Sequence, residues 1–420
     1  MQSPVSSPPS GTAAASPDSS AVAGKDCDKP INIGVVVPYS GTNNADAREI
    51  VQAAQLAVED INAKGGVLCR QLAVVIGDAV DMRTDQVTAA VNQLFHDPNV
   101  NFMMTAYTSA ANEEFELMAA EGMPYLTAAN TEATKSIIGA DPAKYKTIWS
   151  TVPDYLAYNT TPAEEMDKWL RDTPGFTFPA KPTVYTISSD NTYSDNIAKG
   201  LNATLEGLGW EVLGFDTVPL GNVTDWGASL AKIRANPPTL IINTDYQPSN
   251  LATFINQFRQ NATKSLVYMQ YGPINAQFCE LAGGNAEGVL YASVGGPITG
   301  GNSESAKTAT ELREKYNAKY GENTAGYFYG VGYWNVVLYS QALQAVGDPA
   351  DRAGVADWFA KLDTVTPSGR LIFDQKTHLA QGGADGLPLQ MWQIGPDCSR
   401  PLIYPPALTA DKFILPSWMK

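Results

Sequence analysis

From residue 31 onward, short apolar runs alternate with longer segments in which apolar residues recur at helical spacing. The run INIGVVV over 31–37 is rich in β-branched residues, which is typical of a buried parallel strand. The segment 45–63 is amphipathic at helical period and ends at Lys64-Gly65-Gly66, where glycine suits a helix C-cap. Further strands are predicted over 72–76, 101–105 and 123–126, and further helices over 84–95 and 109–120. Alternating elements of these lengths predict a parallel sheet with helices on both faces.

The same alternation begins again near residue 184. Strands are predicted over 184–188, 211–217, 240–244 and 265–269, and helices over 196–208, 226–234 and 250–260. Later helices are expected over 306–320 and 333–346, and later strands over 371–373 and 389–394. Two successive units of similar size predict an α/β protein with two doubly wound lobes, although no residue-level repeat relates them.

The start of the chain has a different composition. Its first 25 residues are mainly Ser, Pro, Ala and Gly, and such a segment buries too little apolar surface to offset its ordering entropy. We therefore expect a disordered linker over 1–27. The segment lacks the basic start and apolar core of a secretory signal, and Met1 stands where a lipid anchor would need a cysteine. A Ser/Pro tether is nevertheless typical of an exported domain, so we expect an extracytoplasmic protein, periplasmic or membrane-tethered, without its signal or anchor.

Composition excludes some classes of partner. The chain has 420 residues, 44% of them hydrophobic, which suffices for two cores. Its formal charge of −15, from 28 basic and 43 acidic residues, comes without a basic stripe. Nucleic-acid binding depends on dense Lys and Arg, so no nucleic-acid partner is expected. No apolar run is long enough to cross a bilayer.

The four cysteines allow three pairings and form neither a CxxC nor a Cys/His metal spacing, so no metal site is expected. Cys27 precedes the first predicted strand and Cys69 the second. Successive strand starts often lie side by side in a parallel sheet, which favours a Cys27–Cys69 bridge and leaves Cys279 with Cys398. Four free thiols in a cytosolic protein are the alternative.

No enzyme motif stands in the sequence. GxSxG, HExxH and Walker patterns are missing, and the first strand is followed by PYSGT rather than GxGxxG. The only two histidines are His96, at a predicted helix end, and His378, in a predicted turn. We expect neither catalysis nor a cofactor.

Five segments carry signatures in a fixed order. They are INIGVVVPYSG, AAQLAVEDINAKGGVLCRQL, EGMPYLTAANT, GPITG and SGRLIFD, of which INAKGG is the most specific piece. Together they resemble the type I periplasmic-binding-protein family, in the leucine/isoleucine/valine-binding branch that serves ABC importers. The resemblance spans about residues 31–394.

The resemblance implies two lobes joined by three chain crossings, with the ligand in the cleft between them. Lobe one is expected over 28–150 and 297–365, lobe two over 151–296 and 366–400, and a C-terminal tail over 401–420. Closure would be a hinge motion biased by ligand contacts that form only when both lobes meet. We expect a monomer. The partners that the resemblance implies for it are a small-molecule ligand and an ABC permease in the membrane.

Ligands of open α/β sheets lie beyond the carboxyl ends of strands. In lobe one this rule selects Tyr107-Thr108-Ser109 and Ala129-Asn130-Thr131, and the resemblance places family contacts on Thr108, Ala129 and Thr131. Backbone N–H groups and hydroxyls there would suit a carboxylate or another acceptor-rich group. The alternative is a plain helix cap, which Ser and Thr often supply.

In lobe two the rule selects Tyr193, Tyr246 and the strand end at Gln270-Tyr271. The resemblance places aromatic ligand contacts on Tyr193 and Tyr246, since a tyrosine offers an apolar face and a hydroxyl. The alternative for each is a partly buried surface tyrosine. Weaker candidates for the cleft wall, which could equally be core, are Tyr39, Phe328 and Tyr329.

One departure from the family concerns the charge of the ligand. In amino-acid-binding members an acid follows the strand matching 265–269, whereas this chain reads MQYGPINA there. A desolvated ammonium without a counter-charge is costly. Asp245 could replace the missing acid from the neighbouring strand end, or it could be a solvated turn residue. If Asp245 does not point inward, a neutral or anionic ligand is expected, such as an amide, a urea-like compound or a carboxylate.

The expected function is that of a solute-binding component of an ABC importer, for one small polar ligand that could also be an amino acid derivative. A ligand-sensing subunit of the same fold, acting through a separate regulatory protein, is the alternative.

Overall fold

A computed structural model describes residues 27–41, 43–107, 111–321 and 326–420 of the chain. These residues form two α/β lobes, each built around its own sheet, so the predicted fold class is confirmed. The expected linker lies outside the described residues except for Cys27.

The first lobe contains a parallel five-stranded sheet in the order β2-β1-β3-β4-β5. Its strands are β1 (Ile31–Val37), β2 (Leu72–Asp78), β3 (Val100–Met104), β4 (Tyr125–Thr127) and β5 (Ile148–Ser150). The connecting helices are α1 (Asn44–Asn62), α2 (Thr84–Phe95), α3 (Glu114–Ala120) and α4 (Glu132–Ala140). All seven residues of β1 are buried, because a central parallel strand is covered on both faces.

The second lobe contains a seven-stranded sheet in the order β14-β13-β10-β9-β8-β6-β7. Its parallel strands are β6 (Thr183–Ser189), β7 (Glu211–Val218), β8 (Leu240–Asn243), β9 (Leu266–Met269) and β10 (Leu290–Val294). Its helices are α5 (Ala157–Asp172), α6 (Thr192–Gly207), α7 (Gly227–Ala235), α8 (Pro248–Arg259) and α9 (Ala276–Ala282). The antiparallel strands β13 (Leu389–Gln393) and β14 (Leu402–Tyr404) complete one edge.

Between β10 and β13 the chain returns to the first lobe. This part forms α10 (Glu304–Tyr320), α11 (Tyr327–Val346), α12 (Arg352–Ala360) and the hairpin of β11 (Asp363–Thr366) and β12 (Gly369–Ile372). Helix α11 packs along α1, and the ring of Tyr339 stacks on that of Phe102 with centroids 4.2 Å apart.

Two expected domain boundaries differ from the structure. Leu371, Phe373 and Leu387 pack in the first-lobe core, so the chain does not leave this lobe at residue 366 but shortly before β13. The expected tail is also part of a lobe, since Leu402 and Met419 are buried in second-lobe cores. Neither segment has a clear hydrophobic period, so only tertiary packing reveals where it belongs.

The three chain crossings lie side by side near residues 151–156, 295–298 and 382–388. A Cβ atom on Gly295, whose φ is +76°, would lie 2.8 Å from Cγ1 of Val152, and one on Gly382 would lie 3.3 Å from Cβ of Pro153. The Gln390 side chain donates a hydrogen bond to the carbonyl oxygen of Gly296. The crossings therefore form one packed hinge.

Gly295→Ala should destabilise the protein more than Gly347→Ala does. Both glycines have positive φ, which costs an L-residue about 1–2 kcal/mol. Only Gly295 faces a neighbour, so overpacking against Val152 should add about 1–3 kcal/mol. Urea unfolding of the two variants measures the difference, and equal losses would contradict close packing of the crossings.

Disulfides join Cys27 to Cys69 and Cys279 to Cys398, with Cα atoms 5.1 and 6.0 Å apart. The first bridge ties the start of the described chain to the loop before β2, and the second ties α9 to the connection between β13 and β14. None of the described helices has the length and apolarity required to cross a membrane.

Candidate ligand-binding cleft

Aromatic side chains from both lobes line the space between them. From lobe one, Tyr107 and Phe328 stack with ring centroids 6.2 Å apart, and Tyr327 meets Phe328 edge-on at 5.1 Å. From lobe two, Tyr271 meets Phe328 edge-on at 6.2 Å. The rings of Tyr271 and Tyr327 each pack against the cores of both lobes, so this aromatic wall belongs to neither lobe alone.

A second group of tyrosines extends the wall along lobe two. Tyr193 lies 6.5 Å from Tyr246 and 6.3 Å from Tyr155, measured between ring centroids. The amide nitrogen of Gln270 donates to the Tyr193 hydroxyl at 3.2 Å, and the Tyr268 hydroxyl donates to the Gln270 oxygen. Burial raises the pKa of Tyr193 well above its usual value, so its phenol stays protonated and neutral.

Strand ends position these side chains, as the sheet rule predicts. Tyr107 follows β3, Tyr246 follows β8 and Tyr271 follows β9. Tyr271 has φ 64° and ψ −58°, and the N–H of Gly272 donates to the carbonyl of Gln270 at 2.7 Å. These values define a classic γ-turn, a rare and strained conformation that turns the Tyr271 ring towards lobe one.

The acid of the cleft is Asp46, which the sequence interpretation missed. Asp46 lies in the first turn of α1 and is 3% exposed. Its carboxylate accepts hydrogen bonds from the Asn275 side chain across the cleft and from the Tyr107 hydroxyl. Burial raises the pKa of Asp46 to about 7, because the two donors offset only part of the desolvation. The available signal was its place after β1, at the carboxyl edge of the sheet.

The carboxylate of Asp245 is hydrogen-bonded within its own turn. Its Oδ1 accepts from the backbone N–H of Gln247 and its Oδ2 from the side chain of Asn250, both at 2.9 Å. Asp245 is 1% exposed, and burial raises its pKa. It is a turn residue before α8, as the alternative interpretation held, but buried rather than solvated.

The lobe-one residues that the sequence selected lie in different structural environments. Thr108 and Ser109 lie outside the described residues. Ala129 is buried in the core beside β4, and the Asn130 side chain donates to the carbonyl of Pro153 at the first crossing, at 2.8 Å. The Thr131 hydroxyl accepts from the N–H of Thr134 at 3.4 Å and caps α4.

The three weaker candidates for the cleft wall also lie in different parts of the structure. Phe328 belongs to the aromatic wall, whereas Tyr329 stacks on Tyr316 in a small cluster between α1, α10 and α11, with centroids 4.6 Å apart. Successive residues of a helix point in different directions, so both could not face the cleft. Tyr39 is 39% exposed. Across the described ranges, no three His, Cys, Asp or Glu side chains are grouped so that they could hold a metal ion.

Comparison with known proteins identifies the family in which this architecture occurs. The model of the periplasmic binding protein family matches residues 30–387. Leu/Ile/Val-binding protein homolog 7 of Brucella abortus is 25% identical over 403 residues, covering 92% of this chain and 94% of the relative. The Leu/Ile/Val/Thr-binding protein of Salmonella typhimurium is 24% identical over 352 residues, covering 83% and 88%.

Two solved structures share the fold. A candidate branched-chain amino acid ABC transporter from Silicibacter pomeroyi superposes with a TM-score of 0.81 at 28% identity, covering 93% of this chain and all of that chain. The branched-chain amino acid transporter substrate-binding protein of Streptococcus pneumoniae, in complex with isoleucine, has a TM-score of 0.70 at 19% identity and covers 89% and 98%. The chain therefore belongs to the type I periplasmic binding proteins, extracytoplasmic solute-binding components of ABC transporters rather than enzymes.

Proposed function

We propose that the protein closes its lobes around one small polar ligand in the tyrosine-lined cleft and delivers this ligand to an ABC permease. The observation that carries the proposal is the aromatic wall shared by the two lobes. Tyr271 and Tyr327 each pack on both cores, so the wall is complete only when the cleft is closed. A ligand that contacts both lobes would favour the closed state by its differential affinity.

The wall indicates the chemistry of the ligand. Tyrosine rings offer flat apolar surface, and their protonated hydroxyls, together with the amide of Gln270, offer hydrogen bonds. We propose an amide, a urea-like compound, a small carboxylate or an amino acid derivative with a short apolar part. The relatives named for leucine, isoleucine, valine and threonine support this size class.

Tyr246→Ala should weaken ligand binding about 10- to 100-fold, because its ring packs edge-on against Tyr193 in the wall and aromatic anchors dominate binding energy. A thermal-shift screen with amino acids, amides, urea, polyols and small aromatic acids identifies the ligand. A binder at a hundredfold excess over its Kd stabilises the fold by about 2.7 kcal/mol. Calorimetry then compares the variants.

Tyr39→Ala is the matched control, since it removes the same atoms from an exposed position. The control should bind like the wild type. A Tyr246→Ala variant with unchanged Kd, or a screen in which no compound shifts the wild type, would contradict the proposed function.

A further inference from the structure

We propose that Asp46 recognises the charge of the ligand, and that the ligand carries a positively charged nitrogen on the part that lies against lobe one. The assignment rests on the proposed function and narrows its ligand class to cations and zwitterions. It replaces the expectation of a neutral or anionic ligand, which followed from the missing acid after β9.

The hydrogen bonds around Asp46 leave acceptor positions of its carboxylate for such a group. A carboxylate has about four acceptor sites, and Asn275 and Tyr107 use two of them. The Asn43 side chain is hydrogen-bonded to the Tyr107 hydroxyl as well. When Asn43 donates to the phenol oxygen, the phenol proton is left for Asp46. The site therefore holds an acceptor-rich carboxylate in a fixed orientation.

No cation among the described residues neutralises this carboxylate. The groups that act on Asp46 are Asn275 and Tyr107, both neutral donors. The ionisable groups that interact electrostatically with Tyr107 and Tyr271, which lie beside Asp46, are Asp46 itself and other tyrosines, none of them cationic. Arg48 lies two residues after Asp46 on α1, and its side chain is on the exposed side of the helix.

Arg400 bonds the backbone on either side of Ile274 and also the Tyr291 hydroxyl. Its Nη2 donates to the carbonyl oxygens of Pro273 and Asn275 at 3.1 and 3.3 Å. A buried carboxylate without a counter-charge is costly, and a ligand ammonium or amidinium would supply that charge. The surrounding tyrosine faces also attract cations. An anionic ligand would be repelled by Asp46 whenever this carboxyl is ionised.

Lobe two supplies a positioned partner for this acid. The Asn275 oxygen accepts from the backbone N–H of Gln277 at 2.8 Å, which fixes its amide nitrogen towards Asp46. Asn275 is therefore a positioning residue that holds Asp46 when the cleft closes. If the Asp46–Asn275 contact were only a closure latch, both residues would affect every ligand equally, whatever its charge.

The test uses four small compounds that share one hydrocarbon side chain and differ in charge. Leucine, leucinol, 4-methylpentanoate and 4-methylpentanamide are at pH 8 a zwitterion, a cation, an anion and a neutral molecule of similar shape, and phenylalanine gives a matching set. Leucinol is used rather than leucinamide, whose ammonium group is only about half protonated at this pH. Calorimetry at pH 8 measures each compound against the wild type, Asp46→Asn and Asn275→Ala. Asp46→Asn is a neutral isostere, and thermal unfolding checks that each variant folds.

Only compounds with a charged nitrogen should bind the wild type, and Asp46→Asn should weaken them at least about 30-fold, as expected for loss of one partner of a buried charge pair. Asn275→Ala should weaken binding less and should preserve the preference for charge. An anion or a neutral compound that binds as tightly as its cationic counterpart, or full affinity in Asp46→Asn, would overturn the assignment.

The wider screen separates this inference from the proposed function. If only uncharged or anionic compounds shift the wild type, the role of Asp46 is wrong while solute binding stands. If no compound shifts the wild type, both fail.

Discussion

The unliganded protein should open its cleft as the pH rises through about 7, and Asp46→Asn should stay closed over the same range. In the closed cleft, burial raises the pKa of Asp46 from 3.8 to about 7. Opening hydrates this carboxyl and returns its pKa towards the ordinary value. The closed state therefore binds the proton more tightly, and this stabilisation is complete below pH 3.8 and lost as the pH rises through about 7.

The expected size of the effect follows from the two pKa values. Three pH units separate them, and each changes the opening constant about tenfold, so it should rise about a thousandfold between pH 4 and 7. Tyr107 and Tyr271 face the carboxyl, but burial raises their pKa well above 10, so they do not titrate in this range. Small-angle scattering at pH 5 and pH 9, which spans about a hundredfold of this change, measures it as an increase in the radius of gyration.

Two controls test the origin of the opening. Burial lowers the pKa of His378, beside the third crossing, below 6.5, so its titration overlaps the range in which Asp46 responds. The Asp46→Asn variant keeps His378 and therefore separates the two groups. A bound cation should keep the wild type closed at pH 9, because it replaces the proton as the counter-charge. A radius of gyration that rises equally in the wild type and Asp46→Asn would assign the opening to another group.

Removing the Cys279–Cys398 bridge, as Cys279→Ser with Cys398→Ser, should lower both stability and ligand affinity. The bridge spans 119 residues, and losing it should cost about 3–5 kcal/mol of unfolding free energy by the chain-entropy account. Arg400, two residues beyond Cys398, holds the carbonyls of Pro273 and Asn275. Without the bridge this loop should loosen, and Asn275 should no longer be fixed against Asp46.

The bridge between Cys27 and Cys69 provides the matched control. It spans 42 residues within lobe one, and its removal should also cost about 3–4 kcal/mol. Urea unfolding should show losses of similar size for the two double variants. Calorimetry should show weakened ligand binding only for the pair without Cys279 and Cys398. Equal Kd values would mean that the second bridge has no part in positioning the cleft.

Local pattern was enough to predict most secondary structure. The strand over 31–37 and the helix over 84–95 have the predicted bounds. A strand buried on both faces shows as a continuous apolar run, and a helix buried on one face shows as an apolar residue every three or four positions, so both can be recognised from neighbouring residues. The order of these elements also predicted two lobes, and the positions of the strand starts favoured the pairing of Cys27 with Cys69 that the structure shows.

Where local signals conflict with packing, the predictions were incomplete. The helix Ala157–Asp172 was not predicted, and Pro162 lies inside it. Strand β5 has three residues, too few for a period to be visible, and it is held by pairing with β4. The segment over 366–387 joins lobe one because Leu371 and Phe373 find apolar partners there that no neighbour in sequence provides.

By itself, the sequence determined the fold class, the family resemblance and the strand ends from which Tyr246 and Tyr271 project, because each depends on residues close together in the chain. Only the tertiary structure decided which acid lies in the cleft. Asp46 and Asn275 are 229 residues apart, and their contact exists because the closing lobes bring the first turn of α1 against the N-terminus of α9. The charge of a binding site depends on which side chains lose water together, and chain folding alone sets that arrangement.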